Sequence, residues 1–203
     1  MQKVRLVLFD IGNVLLSLNP VHVAFPVDGL GQGPVDAARI EARIEAFKQS
    51  GVLERFERGL ASVEEFCAAV RSGFRSSLAA REIADRYVRI LGAEKEGMLL
   101  LIEDLKRSGV RVAALTNTDP IHLEVLLKYP AVHALDTVIA SCVTGRKKPD
   151  PETFLDALER LGADPLETYF TDDLLANVEG ARIAGIRGEV FTGVEALRKA
   201  LEM

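Results

Sequence analysis

The sequence is short of cysteine, histidine, positive charge and long apolar runs, and each scarcity excludes something. Its two cysteines, Cys67 and Cys142, lie far apart with no metal-type spacing. The chain therefore reads as neither a disulfide scaffold nor a zinc module, and it suits a reducing cytoplasm. The three histidines, His22, His122 and His133, share no ligand spacing and read as core or surface residues. Lysine and arginine total 25 against 30 acidic residues, a formal charge of −5, so no cation excess exists to displace phosphate counterions and nucleic acid is not expected as a partner. The longest uninterrupted apolar stretch runs from Met98 to Ile102, far short of the about 20 residues that span a bilayer, so no membrane partner is expected. The opening Met1-Gln2-Lys3-Val4-Arg5 runs straight into a strand pattern with no small-residue cleavage site, which is not the pattern of a signal peptide. These features together point to a cytoplasmic location.

What is present is globular in character. Of 203 residues, 48% are apolar and 27% charged, a balance that argues against disorder, and the length predicts one core plus an insertion or small second lobe. Four near-continuous apolar runs read as buried parallel strands: Val4–Phe9, Val110–Leu115, Thr137–Ala140 and Thr168–Thr171. Amphipathic helices are expected over Glu94–Ser108, stopped by Gly109, over Pro151–Leu161 behind an Asp150 cap, and over Leu174–Ala184, stopped by Gly185. A last strand at Val190–Phe191 leads to a helix over Val194–Leu201. This alternation predicts an α/β fold with a doubly wound, Rossmann-like parallel sheet.

The spacing is uneven. About 100 residues separate Phe9 from Val110, where a strand-to-strand repeat takes about 30. The excess opens with a Pro/Gly-rich stretch and continues with helical patterns over Val35–Lys48, from the capping box at Ser62 to Glu65, and over Ala79–Leu91. It reads as an inserted α-helical cap domain, residues 17–94, over a core made of 1–16 and 95–203, with boundaries good to about five residues. Within it, Gly29-Leu30-Gly31-Gln32-Gly33 looks like a nucleotide loop but follows no strand and is broken by Pro34, so it reads as cap entry.

Ligands of open α/β sheets bind beyond the carboxyl ends of the strands. There the sequence places Asp10 after the first strand, Thr116-Asn117-Thr118-Asp119 after the second, Gly145 to Pro151 with Lys148 after the third, and Asp172-Asp173, followed by Asn177, after the fourth. Carboxylates without soft ligands suit a hard cation such as Mg²⁺. A metal with a lysine and a hydroxyl is what a phosphoryl group needs, and a central carboxylate can attack phosphorus. Arg146 and Lys147, flanking Lys148, read as solvated surface charge.

In order and spacing these motifs resemble the haloacid dehalogenase superfamily, across nearly the whole chain. Phe9-Asp10-Ile11-Gly12-Asn13-Val14, Thr116-Asn117-Thr118, Gly145-x-x-Lys148-Pro149-Asp150-Pro151 and Asp172-Asp173-x-x-x-Asn177-x-x-Gly180-Ala181 most resemble the branch of subfamily I, with a helical cap, that contains glucose-1-phosphate phosphatases. Phe56-Glu57-Arg58-Gly59 resembles a cap segment of that branch. The resemblance implies a Mg²⁺-dependent phosphomonoesterase, monomeric or homodimeric, acting on a small phosphorylated metabolite such as a sugar phosphate. Asp10 would attack phosphorus and carry an aspartyl-phosphate. Asp10, the backbone carbonyl of Gly12, Asp173 and Asp172 would hold Mg²⁺. Thr116 and the backbone of Asn117 would bind phosphate oxygens, Lys148 would neutralise charge, and Asn177 would orient Asp173. His22 and Arg58 are candidate cap contacts.

One position departs from the pattern. Most phosphatases of this superfamily carry a second aspartate, the general acid and then base, where this chain has Gly12. Such proton transfer contributes about 10²–10⁴-fold, so the site is expected to be slow or to favour leaving groups that depart without acid help. Two alternatives share the scaffold: a metal-independent 2-haloacid dehalogenase, against which Asp172-Asp173 speaks, and a catalytically weak or non-enzymatic binding protein.

Overall fold

The computed structural model describes residues 3–20, 25 and 37–202. In chain order the elements are β1 (Leu6–Phe9), β2 (Leu16–Leu18), α1 (Ala37–Gln49), α2 (Val52–Glu57), α3 (Val63–Phe74), α4 (Ala80–Tyr87), β3 (Leu91–Glu94), α5 (Met98–Arg107), β4 (Arg111–Thr116), α6 (Pro120–Leu126), α7 (Pro130–His133), β5 (Thr137–Ala140), α8 (Ser141–Thr144), α9 (Pro151–Leu161), β6 (Thr168–Asp172), α10 (Leu175–Ile183), β7 (Arg187–Val190) and α11 (Val194–Ala200).

Five strands form one sheet in the order β5-β4-β1-β6-β7, with every neighbouring pair parallel. The central strand β1 is buried along its length, as a strand covered on both faces must be. Its alternate side chains divide between two cores. Val7 and Phe9 pack with Leu101, Ile102 and Val112 on one face. Leu6 and Leu8 pack with Phe154, Phe170 and Val178 on the other. Phe9 stands opposite Ala114 of β4 and Thr171 of β6, so the residues that follow β1, β4 and β6 emerge side by side at one edge. Helices α1 to α4 enclose a separate apolar cluster, with Phe56 and Phe66 stacked at 4.4 Å.

Several elements differ from the sequence-based expectation, each for a local reason. Leu91 and Glu94, expected as the last and first residues of two helices, belong instead to strand β3, paired antiparallel with β2. The helix expected from Ala79 ends at Tyr87 and tightens into a 3-10 turn at Val88–Ile90. The helix expected from Glu94 starts only at Met98, because Gly97 sits in the left-handed region at φ 81°. The last strand is Arg187–Val190 rather than Val190–Phe191; it is an edge strand held by register with Tyr169–Asp172 rather than by apolar sequence. Helix α2 and the short helices α6, α7 and α8 were not expected. Ser62 does form the capping box of α3 with Glu65, and Pro151–Leu161 is helical as expected. Val35 and the Gly29–Gly33 stretch lie outside the described residues. No helix among the described residues is long and apolar enough to cross a membrane.

Candidate active site

The site is built where β1, β4 and β6 end. Asp10, the first residue beyond β1, is held by its backbone N–H donating to Thr171 O at 2.9 Å. Lys148 reaches in from the loop after α8 and is buried, its Nζ 2.6 Å from Asp10 Oδ1 and 2.6 Å from Asp172 Oδ2. The loop carrying it, with a cis Lys148–Pro149 peptide, is pinned by Asn117. That side chain donates to Lys148 O and accepts from Lys148 N, both at 2.9 Å. Thr116 ends β4 and is buried beside them.

Asp172 is fully buried and saturated with donors. Its Oδ1 accepts from Leu174 N at 2.9 Å and Asn177 Nδ2 at 3.0 Å, and its Oδ2 from Asn177 Nδ2 and Lys148. Asn177 thus orients Asp172, not Asp173 as expected. Asp172 closes β6 beneath the first turn of α10, where Asn177 points, whereas Asp173 has left the strand. Asp173 is held instead by Asn13, whose Nδ2 donates to Asp173 Oδ2 at 3.0 Å. Asn13 sits at φ 55°, the left-handed region that asparagine tolerates best after glycine, and its Oδ1 accepts from Leu18 N at 3.2 Å. Its role was missed, although an asparagine directly after Gly12 is a turn signal.

Asp10, Asp172 and Asp173 bring one carboxylate oxygen each within 4.8 Å of one another. They are not the uncompensated trio that the sequence suggests, since Lys148 pairs with two of them. Burial nevertheless dominates at Asp10: it pushes the carboxyl up from 3.8 to about 6, with the Asp172 charge adding to it and Lys148 opposing. A buried carboxylate whose pKa is raised, beside two others, is a place where a hard cation fits, and the all-oxygen donor set suits Mg²⁺.

Gly12 lies in the turn after Asp10, and its backbone does not demand glycine. A Cβ there would meet Leu18 Cδ1 at 3.1 Å and stand 3.8 Å from Asp10 Oδ2. The position faces the site and is simply empty of a side chain.

A seam joins the helical segment to this edge. Lys147 Nζ lies 2.5 Å from carboxylate oxygens of both Glu54 and Glu57, so it is a bridging residue and not the solvated charge expected. Arg58 pairs with Glu54 at 2.7 Å and donates to Gly145 O at 3.0 Å, which places it on the seam and not among the carboxylates. Gly59, at φ 68°, comes so close to the core that a Cβ would sit 2.1 Å from Cys142 O. Burial, then the Asp119 charge, push the Cys142 thiol up to about 11, which suits packing and not nucleophilic chemistry. His22 lies outside the described residues.

His122 is the other residue that sequence reasoning underrated. Its Nδ1 lies 2.6 Å from Asp119 Oδ2 and its Nε2 2.9 Å from Tyr87 O. Burial alone would lower its pKa, but the Asp119 hydrogen bond and charge and the Tyr87 carbonyl outweigh it and raise it. An acceptor at each ring nitrogen favours the doubly protonated imidazole. Asp119 also caps α6, accepting from Ile121 N and His122 N. An aspartate before Pro120, three residues from a histidine, was the available signal.

The family model for haloacid dehalogenase-like hydrolases matches residues 4–185. A sesquiterpene phosphatase of Aspergillus oryzae is 28% identical over 97% of this chain and 93% of that protein. A chloroplast flavin mononucleotide hydrolase of Arabidopsis thaliana is 34% identical over 52% of this chain, a match that spans 43% of that protein's length. Among solved structures, a HAD family enzyme of Bacteroides thetaiotaomicron in complex with magnesium and inorganic phosphate superposes with a TM-score of 0.77 at 25% identity, covering 94% of this chain and 95% of that one.

Proposed function

The chain belongs to the haloacid dehalogenase-like hydrolase family, and from that premise we propose that it is a Mg²⁺-dependent phosphomonoesterase acting on a small phosphorylated metabolite, with residues 17–94 as its cap. The observation that carries this reading is the placement of Lys148 Nζ 2.6 Å from both Asp10 and Asp172, with Asp173 completing an oxygen cluster within 4.8 Å. The names of the relatives, a sesquiterpene phosphatase and a flavin mononucleotide hydrolase, agree with it.

In this mechanism Asp10 attacks phosphorus, the ester P–O bond breaks, and an aspartyl-phosphate forms on Asp10. Lys148 holds the attacking carboxylate in place and balances the charge of the transferring group. Thr116 and the backbone of Asn117 bind its oxygens. Asn177 and Leu174 N fix the Asp172 carboxylate in place, and Asn13 fixes that of Asp173. Mg²⁺, held by Asp10, Asp173, the Gly12 carbonyl and Asp172, would supply charge neutralisation for the phosphoryl oxygens. Water then cleaves the acyl phosphate, releasing inorganic phosphate and restoring Asp10. With Gly12 in the acid position, no side chain there protonates the departing alkoxide, which takes its proton from water, so the chemical step is slower the less acidic the leaving alcohol.

The test is release of inorganic phosphate from glucose 1-phosphate, glucose 6-phosphate and an aryl phosphate, with Mg²⁺ and with EDTA, beside the Asp10→Asn variant. Metal-dependent release that Asp10→Asn abolishes is expected. An active Asp10→Asn protein removes the aspartyl-phosphate step.

A further inference from the structure

Next to the carboxylates lies a cavity of about 260 Å³, between the helical segment and the sheet edge, whose inner end is formed by Ile11, Gly12 and Thr116. Its lining includes the apolar side chains of Leu18, Phe25, Leu53, Tyr87, Ile90 and Leu91. Resting on the phosphatase reading above, we propose that this cavity receives the leaving group, and that the leaving group it is built for is an apolar alcohol rather than a polyol.

Three features carry the inference. Among the described residues, the polar side chains around the cavity are engaged with the protein, apart from Lys48 and the Thr116 and Thr118 hydroxyls near the sheet edge. The Asn117 amide is spent on both backbone groups of Lys148. Asp119 and His122 are spent on each other and on Tyr87 O, and Glu57 is paired with Lys147. Lys48 stands exposed at the outer rim. A sugar placed there would bury more hydroxyls than the Thr116 and Thr118 side chains can match, and each unmatched one weakens binding by about five- to a hundredfold. A buried methylene instead strengthens it by about fourfold.

The second feature is the corner next to the reacting atoms. Position 12 carries no side chain, and Leu18 Cδ1 occupies the space beside it, 3.1 Å from where a Cβ would be. The apolar wall therefore runs up to the place where the ester oxygen must lie when phosphorus faces Asp10. Leu18 is 40% exposed, an apolar side chain left facing this space rather than packed into either core.

The third is size. The volume lies just below the about 300–1,000 Å³ of drug-sized sites, so it suits a group of roughly ten non-hydrogen atoms. The Asp119–His122 pair, bonded across to the Tyr87 carbonyl, fixes the wall against α4 and gives the cavity a set shape.

A series of n-alkyl phosphates from ethyl to octyl, kept below the concentrations at which they aggregate, tests this against glucose 6-phosphate and glycerol 3-phosphate. All are esters of primary alcohols, so the chemical step varies little and the readout is recognition. With Mg²⁺ present, kcat/KM is expected to rise about fourfold per methylene and level off once the cavity is filled, near hexyl to octyl. The longest esters should exceed glucose 6-phosphate by more than a hundredfold. Leu18→Ser and Leu53→Asn should each flatten the slope. Phosphate release that is independent of chain length, or faster from the sugar ester, overturns the inference while leaving the phosphatase reading intact. If no ester is cleaved, and an aryl phosphate is not cleaved either, both fall together.

Discussion

The most direct consequence of the site's construction is that it costs stability when empty of a cation, and Asp10→Asn measures that cost. Asp10 is 8% exposed and its carboxyl is pushed from 3.8 to about 6, first by burial and then by Asp172, against the pull of Lys148. A carboxyl whose native pKa lies above its unfolded value binds its proton more tightly when folded. Its stabilising contribution is therefore fully present below about pH 4 and is lost as pH rises through about 6. The gap corresponds to about 3 kcal/mol between those limits. Asparagine has a similar shape, can still accept from Lys148, and does not titrate. In EDTA, the melting temperature of Asp10→Asn relative to wild type should rise between pH 4.5 and 7.5. About 2 kcal/mol of this is lost between pH 4.5 and 7.5, so at about 2–4 °C per kcal/mol for a chain of this size the increase is about 4–8 °C. Glu54 and Asp136, whose pKa values are lowered by Lys147 and, against burial, by Lys106 respectively, impose the opposite pH trend, but they are common to both proteins and cancel in the difference. Circular dichroism melts at pH 4.5, 6 and 7.5 provide the measurement. Added Mg²⁺ should narrow the gap at pH 7.5, since a cation bound to the native state stabilises the wild type more than a variant lacking one ligand. A gap that stays constant across the pH range would refute the account of Asp10 as a carboxylate ionised against its surroundings.

Three further outcomes follow from the same geometry. Lys148→Met leaves Asp10 and Asp172 buried without their shared cation, so it should destabilise the protein by about 3–5 kcal/mol at pH 7.5 in EDTA, read by urea unfolding, and abolish phosphate release. Gly12→Asp should fold, because its Cβ presses only on the flexible end of Leu18, and should speed hydrolysis of esters with poor leaving groups by up to about 10²–10⁴-fold; no gain in kcat would mean the site is shaped around the glycine. His122→Gln removes a histidine whose pKa is raised, so the stability it contributes is present below about pH 6.5 and lost as pH rises through the native value. The variant's deficit in urea should then be larger at pH 6 than at pH 9, and equal deficits would show that His122 is not a buried cation.

Whether a feature of this protein can be read from its sequence depends on whether its cause is local. Val4–Phe9 and Thr168–Thr171 are legible as strands because burial on both faces writes a continuous apolar run, and the polar residue ending each run, Asp10 or Asp172, marks the edge where ligands bind. Strands β2 and β3 carry no such mark. They are three and four residues long, with an irregular register, and each is a strand only because the other lies beside it. Partner choice is lost in the same way. Whether Asn177 meets Asp172 or Asp173 turns on which aspartate is the last residue of β6, a difference of one position that changes a buried, four-times-bonded carboxylate into a half-exposed one. Lys147 shows the limit most plainly. Beside Arg146 and Lys148 it looks like part of a solvated run, yet Glu54 and Glu57, some 90 residues earlier, draw it into the seam. Three adjacent cations thus take three different fates: Lys148 to Asp10 and Asp172, Lys147 to Glu54 and Glu57 of α2, and Arg146 to Asp156 at 3.7 Å. Composition and charge order are the same for all three; only the direction each side chain leaves the loop separates them. That direction follows the turn that Asn117 and Asp150 hold in the backbone, so the position of Lys148 between Asp10 and Asp172 depends on an asparagine just beyond β4.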